Sequence, residues 1–504
     1  MTEVLSVLRF AGTLLLVLLI FNFIILVHEW GHFLAARWRG LKIEKFQIWM
    51  GNPIWKRTYN GVQYGLGWLP LGGFVALPQM APMEAIEGKV DETKEKLAPI
   101  KPLDKIIVAF AGPLFSGGLA LFFACLVSFF GKPQHPSERT TVIGYITPGM
   151  AASNSDLKLG DKILEIDGQK VTSFTGIYGS VQWAVASSQT NPIEFLVERE
   201  GAAQPILVPV KAMMDSDPVY VEHENKGWWD KAVSRPPLRR VGIAPPLDSK
   251  INEVLADSPA AEAGLKAGDI ITKVNGAKVL NSYLTLDGVA EKSENRPIAL
   301  TYLREGKEAE TTLIPRRPLQ PKEFRSITGI SGWELTDPKA IEMDKPNPFR
   351  LVYTAGANTV STLFALFSPK SQIKASHMNG PVGILNLYYN LFQSEHAIRL
   401  VLYFSVILNV SLALFNLLPL PVLDGGHITL GFLEMIRGKA ANLRILEYIQ
   451  VACVMMLLGF VAFVSLKDFG GIAENSGGKA EEIKFGPPSA PVPPTPVRIP
   501  PGPN

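Results

Sequence analysis

The chain has two cysteines in 504 residues, and both, Cys125 and Cys453, lie inside apolar runs. They read as small packing residues rather than as a disulfide or a thiolate metal pair, which leaves the redox compartment open. Excess charge of either sign is also missing. With 49 basic and 46 acidic residues the net charge is +3, and no basic stripe argues for nucleic acid as a partner. The third absence is local: no charged residue occurs from Phe10 to Val27. What is present in quantity is apolar, 47% of all residues, with a mean hydropathy above zero. The length suggests about three units, some in a membrane and some in water.

Four runs are long enough to cross a bilayer: Val4 to Val27, Ile106 to Phe130, Leu400 to Leu418 and Tyr448 to Leu466. The first ends in His-Glu rather than in small residues, so it is expected to be a span and not a cleaved signal peptide. Basic residues near the membrane ends set the orientation. Arg37, Arg39, Lys42 and Lys45 follow the first run, Lys101 and Lys105 precede the second, and Arg437, Lys439 and Arg444 separate the third from the fourth. Those loops are expected to be cytoplasmic, with both termini and the stretch from Gly131 to His396 on the opposite face.

The chemistry starts where the first run ends, at His28-Glu29-Trp30-Gly31-His32. On a helix, His28 and His32 face the same way, as two ligands of one tetrahedral zinc must. Glu29 is placed to take a proton from a water that the metal activates. The alternative is a helix-end His-Glu cluster at the lipid headgroups. Ionisable groups embedded in apolar helices are costly, which favours a functional reading.

Beyond the motif, Asn60-Gly61 between two short extended runs predicts a tight β-hairpin. The stretch from Leu66 to Val75 is too apolar for a surface loop and too broken for a helix. It is expected either to dip into the membrane against protein or to pack on the cytoplasmic helix ends. Ala85 to Lys101 reads as a charged linker, and the run from Pro487 onward as an extended or disordered tail. Between the second and third spans the chain repeats itself: Leu157-Lys158-Leu159-Gly160-Asp161 through Asp167-Gly168 recurs as Leu265-Lys266-Ala267-Gly268-Asp269 through Asn275-Gly276. The pair resembles the PDZ domains of bacterial envelope proteases. That resemblance implies grooves binding extended peptide by strand addition, with a mere spacer as the alternative. An apolar helix is expected from Pro348 to Pro369, lying on the membrane surface, with a break at Gly380 to Ile384.

A zinc held by His28 and His32 needs a third protein ligand if it is to keep a position open. Asp424 is the candidate: in Asn416-Leu417-Leu418-Pro419-Leu420-Pro421-Val422-Leu423-Asp424-Gly425-Gly426-His427 it ends the third run on the same side as the histidines, on backbone that the prolines stop and Gly-Gly bends. Taken alone it is equally a turn residue. Asn416 is a candidate hydrogen-bond donor to substrate or a helix-end packing residue, and His427 either orients a ligand or has no such role.

The two motifs and the inserted repeat together resemble the site-2 protease family of intramembrane metalloproteases, over nearly the whole chain up to about Leu466. The resemblance implies a polytopic α-helical membrane protein of four transmembrane helices, with a membrane-associated β-hairpin and two inserted PDZ-like α+β domains. It also implies one zinc per chain on His28, His32 and Asp424, with Glu29 as the acid/base. Its substrates are single-span membrane proteins, an anti-sigma factor already cut once and remnant signal peptides among them. One position departs from the family pattern: Ser116 stands where the family's second-span motif has asparagine.

The expected domains are 1–131 for the first membrane part, 132–236 and 237–320 for the two PDZ-like domains, 321–397 for linker and amphipathic helices, 398–468 for the second membrane part, and 469–504 for the tail. The expected setting is the bacterial inner membrane, as a monomer in the lipid bilayer. The hairpin, through Tyr64, Gly65, Leu66 and Gly67, is the candidate strand edge for an unwound substrate. The rival readings are a non-proteolytic PDZ-bearing adaptor with a structural metal, and a membrane metal carrier, which would need more ionisable residues in the spans.

Overall fold

The computed structural model describes residues 2–80, 100–176, 179–212, 226–247, 249–320, 325–334, 341–439, 443–477 and 483–486. Most of the linker expected at Ala85 to Lys101, and the proline-rich run from Pro487, lie outside them. The chain divides into two units. One comprises Met1–Pro133, Met343–Phe364 and Ala375–Phe469, and the other Gln134–Glu342, Ala365–Lys374 and Gly470–Asn504.

The first unit is helical because its sequence is apolar in runs too long for anything else. Among the described residues, four helices are long and apolar enough to cross a membrane: Leu5–Trp38, Pro102–Phe130, Ala397–Asn416 and Ile445–Ala473. Where the first three pack together the contact is dry, with Ile24, Ala120, Phe123, Ala124, Val127, Val406 and Val410 all buried. The helix Pro348–Phe367 joins this core through Leu351 and Ala355, while Phe349, Tyr353, Val360, Phe364 and Phe367 form an exposed apolar stripe on it. Gly380 to Ile384 does not break the chain; it starts a helix, Pro381–Phe392. The buried Asp468 carboxylate accepts hydrogen bonds from the Gly380 and Gly383 amides at 3.0 and 2.7 Å. It thereby caps a helix N-terminus from another helix.

The hairpin strands Lys45–Tyr59 and Val62–Ala76 turn at Asn60-Gly61, where both residues take positive φ, 47° and 80°. Each strand is long enough to double back. Lys45–Ile48 pairs with Gln63–Leu66 on one side and with Gly73–Ala76 on the other, while Trp55–Tyr59 pairs with Val62–Leu66. The apolar stretch from Leu66 to Val75 is therefore sheet rather than loop. The hairpin is pinned to the first helix by ring contacts of 5.3 to 6.2 Å among Trp30, Phe33, Phe46 and Tyr64, each pair adding about 0.5–1.5 kcal/mol.

The second unit holds the repeat as two small modules. In the first, the sheet order is Gln169–Lys170, Lys162–Ile166, Ile193–Glu198, Ile206–Val210, and Tyr145–Ile146 pairs separately with Ile243–Ala244. In the second it is Lys307–Leu313, Ile298–Arg304, Ile270–Val274, Lys250–Val254, Ile330–Glu334. Each module thus takes its last strand from beyond positions 236 and 320, where the sequence suggested it would end. The repeated Leu-Lys-x-Gly-Asp has a structural cause. Asp161 and Asp269 are almost fully buried, accept from the Lys158 and Lys266 amides at 2.8 Å, and bind Arg199 and Arg304 through two oxygens at 2.7–2.8 Å.

Candidate metal centre

His28 and His32 lie in the helix Thr2–Trp38, and Asp424 is the first residue of the helix Asp424–Arg437. The two Nε2 atoms are 3.2 Å apart, and they lie 3.2 and 3.4 Å from Asp424 Oδ2 and Oδ1. Among the described residues this is the group of His, Cys, Asp and Glu donors that converges within 4.8 Å. The residues fit a metal by more than their spacing. Asp424 Oδ2 is buried, and with the His28 Nε2 at 3.2 Å as its neighbour it makes no hydrogen bond of good geometry, a costly state for a carboxylate oxygen that a cation relieves. A Cβ on Gly112 would sit 2.2 Å from His32 Nε2 and 2.8 Å from His28 Nε2, so the second span leaves the space between the donors clear by having no side chain there.

Each ring is held from behind. His32 Nδ1 donates to the Val108 carbonyl at 2.8 Å, which leaves Nε2 the acceptor nitrogen and turns it toward the point where His28 and Asp424 also converge. His28 Nδ1 lies 3.0 Å from Ser116 Oγ, on a fully buried serine. Sequence reasoning left Ser116 without a role, and its position beside a candidate ligand points to one. The Val108 carbonyl had no signal in the sequence, since a backbone oxygen carries none.

The residues around Asp424 differ from expectation in backbone. Gly425 and Gly426 do not bend the chain but lie in the first turn of the helix, where added Cβ atoms would meet the Leu417 and Leu420 carbonyls at 2.3 Å. The helix is tied to the second span by the buried Lys105–Glu434 pair at 2.9 Å. His427, one turn after Asp424, is buried, and burial pushes its imidazole down to about 4, which keeps it neutral.

These donors face a cavity of about 300 Å³ lined also by Glu29, Asn416, His427 and the hairpin residues Gly72, Gly73, Phe74 and Val75. Asn416 Nδ2 lies 3.4 Å from His28 Nε2. The structure does not bring Tyr64, Gly65, Leu66 and Gly67 to this cavity. Tyr64 to Leu66 are paired on both sides, and Tyr64 belongs to the ring cluster under the sheet. Gly73–Ala76 is paired on one side only among the described residues, and Gly73 is close enough to Glu29 that a Cβ there would lie 3.6 Å from Glu29 Cγ.

Residues 16–460 match the model of peptidase family M50. The chain is 28% identical to the protease RseP of Yersinia pestis over 87% of this chain and 95% of that protein. It is 27% identical to the regulator of sigma-E protease RseP of Escherichia coli K12 over the same shares. A Neisseria meningitidis protein with zinc metalloprotease in its name is 28% identical over 88% of this chain and 96% of that protein. The chain therefore belongs to peptidase family M50, the site-2 protease family, and is a metalloendopeptidase.

Proposed function

We propose that this chain is an intramembrane zinc endopeptidase that cuts single-span membrane proteins within their apolar segment, an anti-sigma factor after a first cut being the substrate class that the resemblance to site-2 proteases implies and that fits relatives named regulator of sigma-E protease. The observation that carries the reading is a single cavity shared by three metal donors, the Glu29 carboxylate and a one-sided strand, Gly73–Ala76, all in the apolar unit.

His28, His32 and Asp424 would hold one zinc, which when bound acidifies water and polarises a carbonyl. Glu29 takes the proton of the attacking water and returns it to the leaving nitrogen. Asn416 donates from its amide toward the reacting oxygen. A helical substrate presents no free carbonyls, so it must unwind first. The open side of Gly73–Ala76 replaces the lost backbone bonds by strand addition. This moves the sequence reading from Tyr64–Gly67 to the next length of the same strand. The two modules are read as PDZ-like domains on the periplasmic face of the inner membrane. In the first, a groove of about 290 Å³ runs between Val181, Gln182 and Val185 on a helix and Leu238 to Ile243, the segment that leads into the strand Ile243–Ala244; we read it as the place for an extended peptide.

The deciding experiment is Glu29→Gln in a membrane with a co-expressed single-span substrate. The variant is expected to keep its zinc and lose cleavage. An intact function would instead favour the adaptor with a structural metal. Proline placed singly at Phe74 and at Val75 tests the strand: adjacent amides alternate in direction, so one of the two is expected to lose cleavage at least about tenfold without losing metal. Full activity in both variants sinks strand addition.

A further inference from the structure

The residues Ile483–Gly486 lie beyond the family match, which ends at 460, yet they are seated on the second module. Leu319 N–H donates to the Lys484 carbonyl at 2.7 Å and Lys484 N–H donates to the Gln320 carbonyl at 3.1 Å. The two stretches form an antiparallel bridge. Arg316, its side chain 10% exposed, donates to the Gly486 carbonyl at 3.0 Å and lies over the Phe485 ring at 5.5 Å. That guanidinium is itself held by both Glu262 oxygens at 2.7 Å and by the Asp257 carbonyl at 2.8 Å. The seat is shaped for this segment. Gly329 has positive φ and would meet Ser258 at 2.2 Å if it carried a Cβ, and the hollow it leaves brings the Phe485 ring to 3.1 Å from that position; a Cβ on Gly486 would come within 3.0 Å of Leu319.

The place where a PDZ-like module would take a peptide is meanwhile filled from within. Between the helix Ser282–Lys292 and the strand Ile330–Glu334, Tyr283 and Trp333 meet edge to face at 5.8 Å. Arg325 joins the preceding loop to Asp287 and Glu291 at 2.9–3.1 Å. The first module's groove has no such filling among its lining residues.

We propose that the second module has a peptide-docking face of its own, built from Arg316, Leu319, Gln320 and Gly329, and that its resident ligand is this chain's own Ile483–Gly486. The chemistry it recognises is an extended backbone with an aromatic residue followed by glycine. The bridge reads the backbone, the guanidinium reads the ring, and Leu319 crowds the next position so that glycine fits it best.

The test uses the full chain in detergent or nanodiscs, with hydrogen exchange and a synthetic peptide of residues 481–488 as probe. In Phe485→Ala, and separately in a chain ending at Gly477, amides of residues 316–320 and 325–329 are expected to exchange at least about tenfold faster than in the parent, the order of one lost hydrogen-bonded contact of ~1.4 kcal/mol. The shortened chain is expected to bind the peptide, the parent at least tenfold more weakly, and the peptide with alanine for phenylalanine not at all. Unchanged exchange in both variants overturns the proposal. So does a shortened chain that ignores the peptide, or one that binds the alanine peptide equally well. None of these readouts depends on proteolysis.

Discussion

Ser116 shows how a single buried hydroxyl bears on the metal. His28 is a ligand candidate by sequence, but what fixes its ring is an oxygen on another helix, 3.0 Å from Nδ1. Ser116→Ala is expected to leave the fold intact and lower zinc affinity by about 10–100-fold, as loss of a ligand's supporting bond does. Competition with a chelator measures it. Glu262 makes a pH prediction in the other unit. The Arg316 guanidinium holds its carboxyl below the usual carboxylate value against the opposing effect of burial. A depressed carboxylate stabilises above its unfolded pKa, and that stability is lost as pH falls through the folded value. The second module is therefore expected to melt at lower temperature below about pH 4.3 than at pH 7, and Glu262→Gln to flatten that dependence. A variant as acid-sensitive as the parent would remove Glu262 from the account.

At the scale of elements, the sequence shows most where the signal is local. His28 and His32 four apart, Asn60-Gly61 and the paired Leu-Lys-x-Gly-Asp turns could be read because spacing and turn chemistry act over a few residues. The doubling back of the hairpin could not, since Lys45–Ile48 meets two separate lengths of one partner strand and nothing local encodes that. Nor could the start of a helix at Gly380-Pro381, whose cap is Asp468 from far along the chain. Asp468→Ala removes the acceptor of two buried amides and is expected to destabilise the first unit by about 1–3 kcal/mol, read as earlier loss of protease resistance in Pro381–Phe392. Glu434→Gln leaves Lys105 without its buried counter-charge. It is expected to cost a few kcal/mol and to lower zinc occupancy, because the displaced helix begins with Asp424. Unaltered occupancy would separate the pair from the site.

For the whole molecule, the three donors come from residues 28, 32 and 424, so a bound metal joins the first helix to one near the other end of the chain. A ligand present at about a thousandfold over its Kd stabilises the state that binds it by ~4 kcal/mol. Chelation is therefore expected to lower the unfolding temperature of the first unit and to leave that of the second unchanged, seen as two transitions drawing apart in calorimetry. Equal shifts in both would show that the units unfold together. The expectation of separate transitions rests on the second unit's having cores of its own. Ile143, Ile163, Ile166, Ile193 and Phe195 in one module, and Ile251, Leu286, Ile298 and Leu300 in the other, are each essentially removed from water.

The one-sided strand Gly73–Ala76 has a consequence for choice among substrates. A row of amides and carbonyls is the same for every sequence laid against it, and the two glycines before Phe74 offer no side-chain pockets of their own. If substrate adds to it as proposed, such an edge selects by how readily a helix gives up a turn, not by its letters. Among single-span proteins of equal access, those with glycine, asparagine or proline in mid-span are expected to be cut fastest, in the order of their fraying rather than of any consensus.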